Sequence, residues 1–577
     1  MQSRFRSRSS SIVGVLALVG ALLQAACAPA APPASTSAPA AKASEPAPAA
    51  KAASGQTPAA PAAKPAEAKP AAPKGTLRVA LNGEPPTLDP AVTNDIIAGP
   101  MVGNLFATLT DVDSTGKVVP SLAQSWTVSQ DGTTFTFKMH PNAKFHNGDK
   151  LEAKDVKYSW ERALTPATKA LTARESLGDI VGAKEMLAGT ATELTGARVV
   201  DPRTLEIKIA LPIRGDMLSN LTYYTAGVVH KASVEAGGER WFEQNLVGSG
   251  PFKLKEWQHN SKVVLEAFPD YFLGAPNVAT VELPIVTDGG TELAQYENGE
   301  LDVGRVPQAD IKRIRADGKL GKELLEFDRA QVIYLALNQK AWEPARTLEV
   351  RQAIAHAIDR QKLIDEVMFG LGKPSPSSLP PNIDGYDPNL KGLEYDPAKA
   401  KDLLAKAGYP GGQGLPPMGL TFNPRGADGK AMSEAMAGML KENLGIQAQV
   451  QTTEFARFIA DMNKKDVLPT FFTGWSAGVM EPNYFLDRLF YSKAGTNRMG
   501  FEDLEYDKLV DDANMQPAGP ARTEAFRKAN AYLAEKVPAV MIGSTRYAFL
   551  KKPYVESLET TGLSWGMQPF VKVSVNR

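Results

Sequence analysis

The side chains that most often do chemistry in proteins are few in this sequence and poorly spaced for it. Its five histidines stand at positions 140, 146, 230, 259 and 356, and none has a second histidine or a cysteine at metal-ligand spacing. Ser249 lies in a Gly-Ser-Gly-Pro turn that lacks the G-x-S-x-G spacing of a nucleophile elbow. Ser114 and Lys117 match S-x-x-K, but in a polar turn where the lysine would not be buried. We therefore predict no catalytic residue, no metal site and no cofactor, while a pair of carboxylates stays open because the acidic residues are many.

Composition narrows the class of protein further. Hydrophobic residues make up 43% and charged residues 22% of 577 residues, which indicates a soluble globular chain of two or three lobes. Basic and acidic residues balance at 64 each, so the basic surplus typical of nucleic-acid binding is absent. We therefore expect no nucleic-acid partner.

Cys27, the only cysteine of the chain, has a position that suggests a chemical modification. It follows three early arginines and the apolar run 12–23, which is too short for a membrane span and is typical of a signal peptide over 1–27. The segment resembles the lipobox of bacterial lipoproteins, although Gln24 stands where leucine is usual. We expect lipidation of Cys27 and anchoring to a membrane. Ordinary secretion is the alternative.

Residues 28–74 are nearly all alanine and proline and contain no aromatic residue, leucine, isoleucine, valine or methionine. Such a segment cannot form a core, so we predict a disordered tether. From Gly75 onward, short strands alternate with helices, which indicates α/β lobes. Gln331 to Asn338 is a nearly continuous apolar run, as expected for a strand buried on both faces.

Many short motifs occur in one order along residues 75–577. Taken together they resemble the extracellular solute-binding proteins of family 5, the oligopeptide, dipeptide and nickel binders of ABC importers. The motifs are Pro-Thr-Leu-Asp-Pro at 86–90, 119–126, Phe-His-Asn-Gly-Asp at 145–149, Ala-Lys-Asp-Val at 153–156, 159–160, Gly-Ser-Gly-Pro-Phe at 248–252, 270–272, 337–338, 350–354, Ala-Ile-Asp-Arg at 357–360 and 395–397.

The resemblance implies an α/β, two-lobed periplasmic-binding-protein fold of type II, in the large class with an extra subdomain. Lobe I would comprise 75–335 and 540–577, with the subdomain at about 120–205, and lobe II would comprise 336–539. Strands would cross between the lobes near 331–339 and 538–547. A small-molecule solute would bind between the lobes and be buried by hinge closure, without enzymatic chemistry.

The resemblance also implies which residues line the cleft. They are Glu84, Thr87, Leu88, Gly474, Trp475, Ser476, Ala477, Gly478 and Glu481. Trp475 would stack on the ligand or, alternatively, belong to the lobe core. Gly478 matches the position of an aspartate that pairs with the peptide amine in family members, and it would leave room beside Trp475. We therefore expect free-amine peptides to bind poorly, unless Glu481 supplies the missing carboxylate.

The expected partners are the permease and ATPase subunits of an ABC importer, and the expected location is extracytoplasmic, in the periplasm or at the cell surface. The protein itself would be a monomer. An opine, an oligosaccharide or a metal chelate remains open as the ligand in place of a peptide. An exported lipoprotein hydrolase and a structural envelope protein are the alternative classes.

Overall fold

The computed structural model describes residues 72–93, 97–210, 216–424, 428–563, 566–567 and 569–577. The predicted signal peptide, Cys27 and nearly all of the predicted tether lie outside these residues. Within them, no helix combines the length and the apolar character that crossing a membrane requires.

The strands of the described residues, in chain order, are β1 (Thr76–Arg78), β2 (Thr110–Val112), β3 (Val118–Pro120), β4 (Ala123–Val128), β5 (Thr134–Met139), β6 (Ala197–Asp201), β7 (Thr204–Lys208), β8 (Phe252–Gln258), β9 (Lys262–Ala267), β10 (Thr280–Pro284), β11 (Val303–Arg305), β12 (Leu324–Leu337), β13 (Gly372–Pro374), β14 (Met418–Phe422), β15 (Ala448–Gln451), β16 (Thr470–Ser476), β17 (Ala539–Lys551), β18 (Val555–Glu556) and β19 (Ser574–Val575). The α-helices are α1 (Gly99–Leu105), α2 (Ala153–Leu164), α3 (Ala173–Leu177), α4 (Ala183–Leu187), α5 (Asp216–Asn220), α6 (Lys231–Gly237), α7 (Trp241–Gln244), α8 (Gly289–Glu297), α9 (Ile311–Ala316), α10 (Leu320–Glu323), α11 (Leu348–Ala357), α12 (Arg360–Lys362), α13 (Pro397–Lys406), α14 (Gly429–Leu444), α15 (Phe455–Asn463), α16 (Asn483–Phe490), α17 (Leu504–Asn514) and α18 (Pro520–Lys536).

Lobe I contains two four-stranded sheets. One has the order β1-β10-β9-β8, in which β1 is parallel to β10 and the other pairs are antiparallel. The other is antiparallel, with the order β4-β5-β7-β6, and it is covered by α2, whose Trp160 is fully buried. The helix α2 begins in a capping box, in which the Glu152 N–H donates to Asp155 Oδ2 at 2.8 Å. This second sheet spans 123–208, and the extra subdomain at about 120–205 stays a prediction.

The central sheet has the order β11-β17-β12-β16-β14-β15, with β13 paired to β17, and its part from β12 to β15 forms the middle of lobe II. Alternate residues of β12 face opposite layers, as the two-residue period of a strand requires. Ile333 and Leu335 pack into a core with α11, α13 and α14, whereas Val332 and Tyr334 pack into a core with α15 to α18. The strand is buried on both faces from 332 to 337, as the apolar run predicted.

The two long strands β12 and β17 run through both lobes. Residues 324–328 of β12 pair with 546–550 of β17, where β11 also joins, and residues 332–336 pair with 539–544, where β16 joins. The register shifts between Asp328 and Val332, so the ladder is interrupted where one lobe gives way to the other. The interruption lies a few residues before the crossing expected near 331–339.

Candidate ligand-binding cleft

The strip 474–478 comprises the last three residues of β16, which pair with residues 331–333 of β12, and the two residues that follow them, and it lies beside the register shift. The Ala477 N–H donates to the Ala330 carbonyl at 2.7 Å. Gln331 Nε2 donates to Ser476 Oγ at 2.8 Å, and Gln331 Oε1 accepts from Thr545 Oγ1 at 2.8 Å. A Cβ on Gly474 would lie 3.0 Å from Gln331 Nε2. Gln331 belongs to β12, and its side chain therefore links the strip 474–478 to β17 through these two hydrogen bonds.

Trp475 lies at the edge of the lobe II core and is partly buried. Its indole N–H donates to the Tyr484 carbonyl at 2.9 Å, and the two rings have centroids 5.6 Å apart. The guanidinium of Arg498 lies 5.7 Å from the centroid of the Trp475 ring. The side chain is thus anchored from one side by its own lobe while part of its surface stays exposed.

Gly478 is a point of contact between the lobes. A Cβ at this position would lie 2.9 Å from the Tyr484 hydroxyl oxygen and 3.2 Å from Cε2 of Tyr223 in lobe I. The expectation that this glycine leaves room beside Trp475 is wrong, because the two tyrosine rings occupy that space.

Glu481 is held by two partners. Its Oε2 lies 2.9 Å from Arg522 Nη1, and its Oε1 accepts a hydrogen bond of 2.8 Å from Ser219 Oγ in lobe I. The carboxylate therefore has a structural partner in each lobe, and it is not a spare group that could replace an acid at position 478.

The early loop makes its contacts within lobe I. Glu84 accepts hydrogen bonds from Trp257 Nε1 at 3.0 Å and from the Asn260 N–H at 2.8 Å, and its Oε1 lies 2.7 Å from His259 Nδ1. Thr87 Oγ1 accepts from the Asp89 N–H at 3.1 Å. Leu88 has no exposed surface and packs in the core of lobe I, which corrects the expectation that its side chain lines the cleft.

A cavity of about 470 Å³ opens in lobe I and reaches lobe II at Gly478. This volume falls in the range of small-molecule binding sites. Its walls come from α1, from β2 and β3, from 222–227, from 271–273 and from the described residues 559–563, 567 and 569–572, and three tyrosines are among the lining residues: Tyr223, Tyr224 and Tyr271. Sequence reasoning missed these residues, because five separate segments meet here and none of them carries a motif for the cavity.

Asp111 on β2 lines the same cavity. Its Oδ1 accepts a hydrogen bond of 2.8 Å from the Val112 N–H, and burial raises the pKa of the Asp111 carboxyl to about 6. Burial also raises the pKa of the neighbouring Tyr271 hydroxyl, and the negative charge of Asp111 adds to that shift. Asp111 is half-buried in the cavity wall, and burial there disfavours its ionised form.

Two lobes that share two long strands, with a cavity that reaches from one lobe to the other, are the architecture of a two-lobed solute-binding protein. The family described as "Bacterial extracellular solute-binding proteins, family 5 Middle" matches residues 117–497. The chain belongs to this family. The family, the two-lobed α/β fold and the function of an importer's solute-binding component, all expected from the sequence, are confirmed.

Relatives cover most of the chain. It is 26% identical over 486 residues to the oligopeptide-binding protein OppA of Bacillus subtilis, covering 81% of this chain and 87% of that one. It is 29% identical over 529 residues to di/tripeptide-binding protein 1 of Pseudomonas aeruginosa, covering 86% and 93%. The structure of the Escherichia coli murein tripeptide binding protein MppA matches with a TM-score of 0.74 and 26% identity, covering 88% of this chain and 99% of that one.

Proposed function

We propose that the chain captures a peptide-like solute between its lobes and releases it to a membrane importer. The observation that carries the proposal is the meeting of the lobes at Gly478 and Tyr223, on the wall of the 470 Å³ cavity. The two shared strands change register beside the strip 474–478, which supports a hinge at this level. Closing the hinge would bring residues of both lobes against one solute.

The peptide class is supported by the relatives, which are named for oligopeptides, for di- and tripeptides and for a murein tripeptide. The cavity is large enough for a short peptide. Opines, oligosaccharides and metal chelates are the competing ligands. Glu84, Thr87 and the strip 474–478 are proposed to border the solute from the two sides of the cleft.

Delivery would proceed through the permease and ATPase subunits of an ABC importer. We propose that the protein works outside the cytoplasm as a monomer held to a membrane by lipidated Cys27. Residues 28–74 would serve as the tether, since a proline-rich chain extends about 3.1 Å per residue. Capture and release need affinity for the closed state and no covalent step.

Calorimetry of the purified protein against a panel of dipeptides and tripeptides tests the proposal, together with small-angle scattering. We expect at least one peptide to bind in the micromolar range or tighter, to reduce the radius of gyration and to be recovered intact. Tyr223→Ala should weaken this binding, because it removes the lobe I ring that meets Gly478. Tyr395→Ala, an exposed position on lobe II, is the matched control. Hydrolysis of the peptides, or binding that leaves the radius unchanged, would contradict the proposal.

A further inference from the structure

The charged groups around the cavity differ in the hydrogen-bond and ion-pair partners that the protein gives them. Asp113 is used by its own turn, where it accepts hydrogen bonds from Thr115 Oγ1 at 2.6 Å and from the Lys117 N–H at 3.1 Å. Lys572 pairs with Glu559 at 2.8 Å. The charge of Asp113 is thus stabilised by its turn, and the charges of Lys572 and Glu559 by each other, without a ligand.

Asp111 differs from these neighbours. The Val112 amide is the hydrogen-bond donor that the structure gives it, and in the described parts of the chain no lysine, arginine or histidine forms an ion pair with it. Burying an ionised carboxylate without a cation is unfavourable. The raised pKa of Asp111 reflects that cost. The cavity wall therefore contains a half-buried carboxylate beside which a positive charge would be favourable.

The remaining lining suits an organic cation. Tyr223 and Tyr224 have ring centroids 5.2 Å apart, and both line the cavity together with Tyr271. Aromatic faces attract ammonium and guanidinium groups, and more strongly where water is excluded. Gly478, where a carboxylate was expected and is absent, borders the same cavity. A cation entering here would meet the carboxylate of Asp111 among tyrosine rings.

We propose that Asp111 binds the cationic group of the solute, an ammonium or a guanidinium. The inference rests on the proposed function and identifies the charged group that the solute must carry. It replaces the expectation that free-amine peptides bind poorly, which considered Gly478 and Glu481 but no residue of lobe I. Asp111 provides from lobe I the charge that Gly478 does not provide from lobe II.

Two matched peptides test this assignment: tri-alanine and N-acetyl-tri-alanine, titrated into the wild-type protein, Asp111→Asn and Asp113→Asn. At about pH 7.5 the wild-type protein should prefer tri-alanine by roughly tenfold to a hundredfold, the range for a hydrogen bond to a charged group. Asp111→Asn should lose the preference, whereas Asp113→Asn should keep it because that carboxylate is used by its turn. Peptide binding that ignores acetylation, or a preference that survives in Asp111→Asn, would overturn the inference and leave the proposed function standing.

A pH series distinguishes the contribution of the Asp111 charge to the amine preference from the contribution of the size and shape of its side chain. The amine preference requires ionised Asp111, so it should fall about tenfold between pH 7 and pH 5 in the wild-type protein. Asp111→Asn should show no such change. The other ionisable groups that line the cavity with Asp111 are Asp113, Tyr223, Tyr224, Tyr271, Glu559 and Lys572, and His140 lies outside this lining, packed on Phe272. His140→Gln controls for the histidine, and an unaltered pH response in Asp111→Asn would refute the assignment.

Agmatine and spermidine, tested by thermal shift, distinguish failure of the inference from failure of the peptide proposal. If no peptide binds but either cation stabilises the wild-type protein and not Asp111→Asn, the inference holds and the peptide class is wrong. If neither peptides nor cations bind, both are wrong. Folding of Asp111→Asn is checked by circular dichroism and by its thermal midpoint.

Discussion

Glu481 and Arg522 form a buried ion pair, with 2.9 Å between Oε2 and Nη1 and side-chain exposures of 12% and 6%. Ser219 Oγ reaches the same carboxylate from lobe I, at 2.8 Å from Oε1. The pair thus stabilises lobe II internally, while the third partner belongs to the opposite lobe.

Replacing Glu481 by Gln should lower the free energy of unfolding by about 3 kcal/mol, because it breaks a buried ion pair by removing the negative charge that accepts from the Arg522 guanidinium. Ser219→Ala should cost only about 1 kcal/mol, as it removes one neutral donor. Urea unfolding measures both values. If Glu481→Gln matched the wild-type protein, the pair would have no role in stability.

Gly478→Ala should weaken solute binding by about tenfold, since the new methyl group must displace the Tyr484 hydroxyl or the Tyr223 ring. Gly438→Ala is the control, because this exposed glycine of α14 has no atom near the added Cβ. The control should leave binding unchanged and stabilise the helix by about 0.5–1 kcal/mol. Equal affinities for Gly478→Ala and the wild-type protein would mean that the side chains of Tyr484 and Tyr223 move away from the methyl group without any cost in binding.

The sequence predicted what local pattern determines. The apolar run before Asn338 predicted a strand buried on both faces, as observed. Local pattern also explains the start of α13, where Asp396 Oδ1 accepts from the Lys399 N–H at 2.9 Å. The cavity could not be predicted in this way. Asp111, Tyr223 and Lys572 are far apart in the chain, and only the packing of five segments brings them together. Likewise, no local signal shows that Arg522 neutralises Glu481.

Trp475 should report closure of the cleft. Its ring is partly buried and its N–H is bonded to the Tyr484 carbonyl, so a solute that covers the remaining surface should shift the emission to shorter wavelength. The chain has seven tryptophans, so the Trp475→Phe variant isolates this signal by difference. A ligand-induced shift that persists in Trp475→Phe would place the response elsewhere.

Cys27→Ala should move the protein from the membrane fraction to the soluble fraction without altering its folding, because the acyl chains would be lost. Fractionation of the native host, with metabolic labelling by a palmitate analogue, measures this. Ser37→Ala, in the proline-rich segment that follows Cys27, should stay with the membrane. Retention of Cys27→Ala in the membrane pellet would remove the lipoprotein assignment.

The last prediction concerns acid and His146, which is 8% exposed in the core of lobe I. The Gly248 N–H donates to Nδ1 at 3.1 Å, and the Nε2–H donates to the Gly250 carbonyl at 3.0 Å, so both ring nitrogens are used by the neutral form. Protonation would place a second N–H against that of Gly248. Burial therefore lowers the pKa of His146 from 6.5 to about 4, and the positive charge of Lys253 adds to this shift.

Because the folded protein holds this histidine neutral, protons favour the unfolded chain. The stability that it contributes is complete above pH 6.5 and is lost as the pH falls towards 4, by up to about 3 kcal/mol. Asp111 acts in the opposite direction, since its raised pKa makes the folded state gain stability as the pH falls from about 6. Urea unfolding between pH 7 and pH 4 should therefore compare the wild-type protein with His146→Gln and with His259→Gln, an exposed histidine beside Glu84. We expect His146→Gln to be less stable at neutral pH but to lose less stability on acidification, with His259→Gln following the wild-type curve. Parallel curves for all three proteins would show that His146 is not the group through which acid destabilises lobe I.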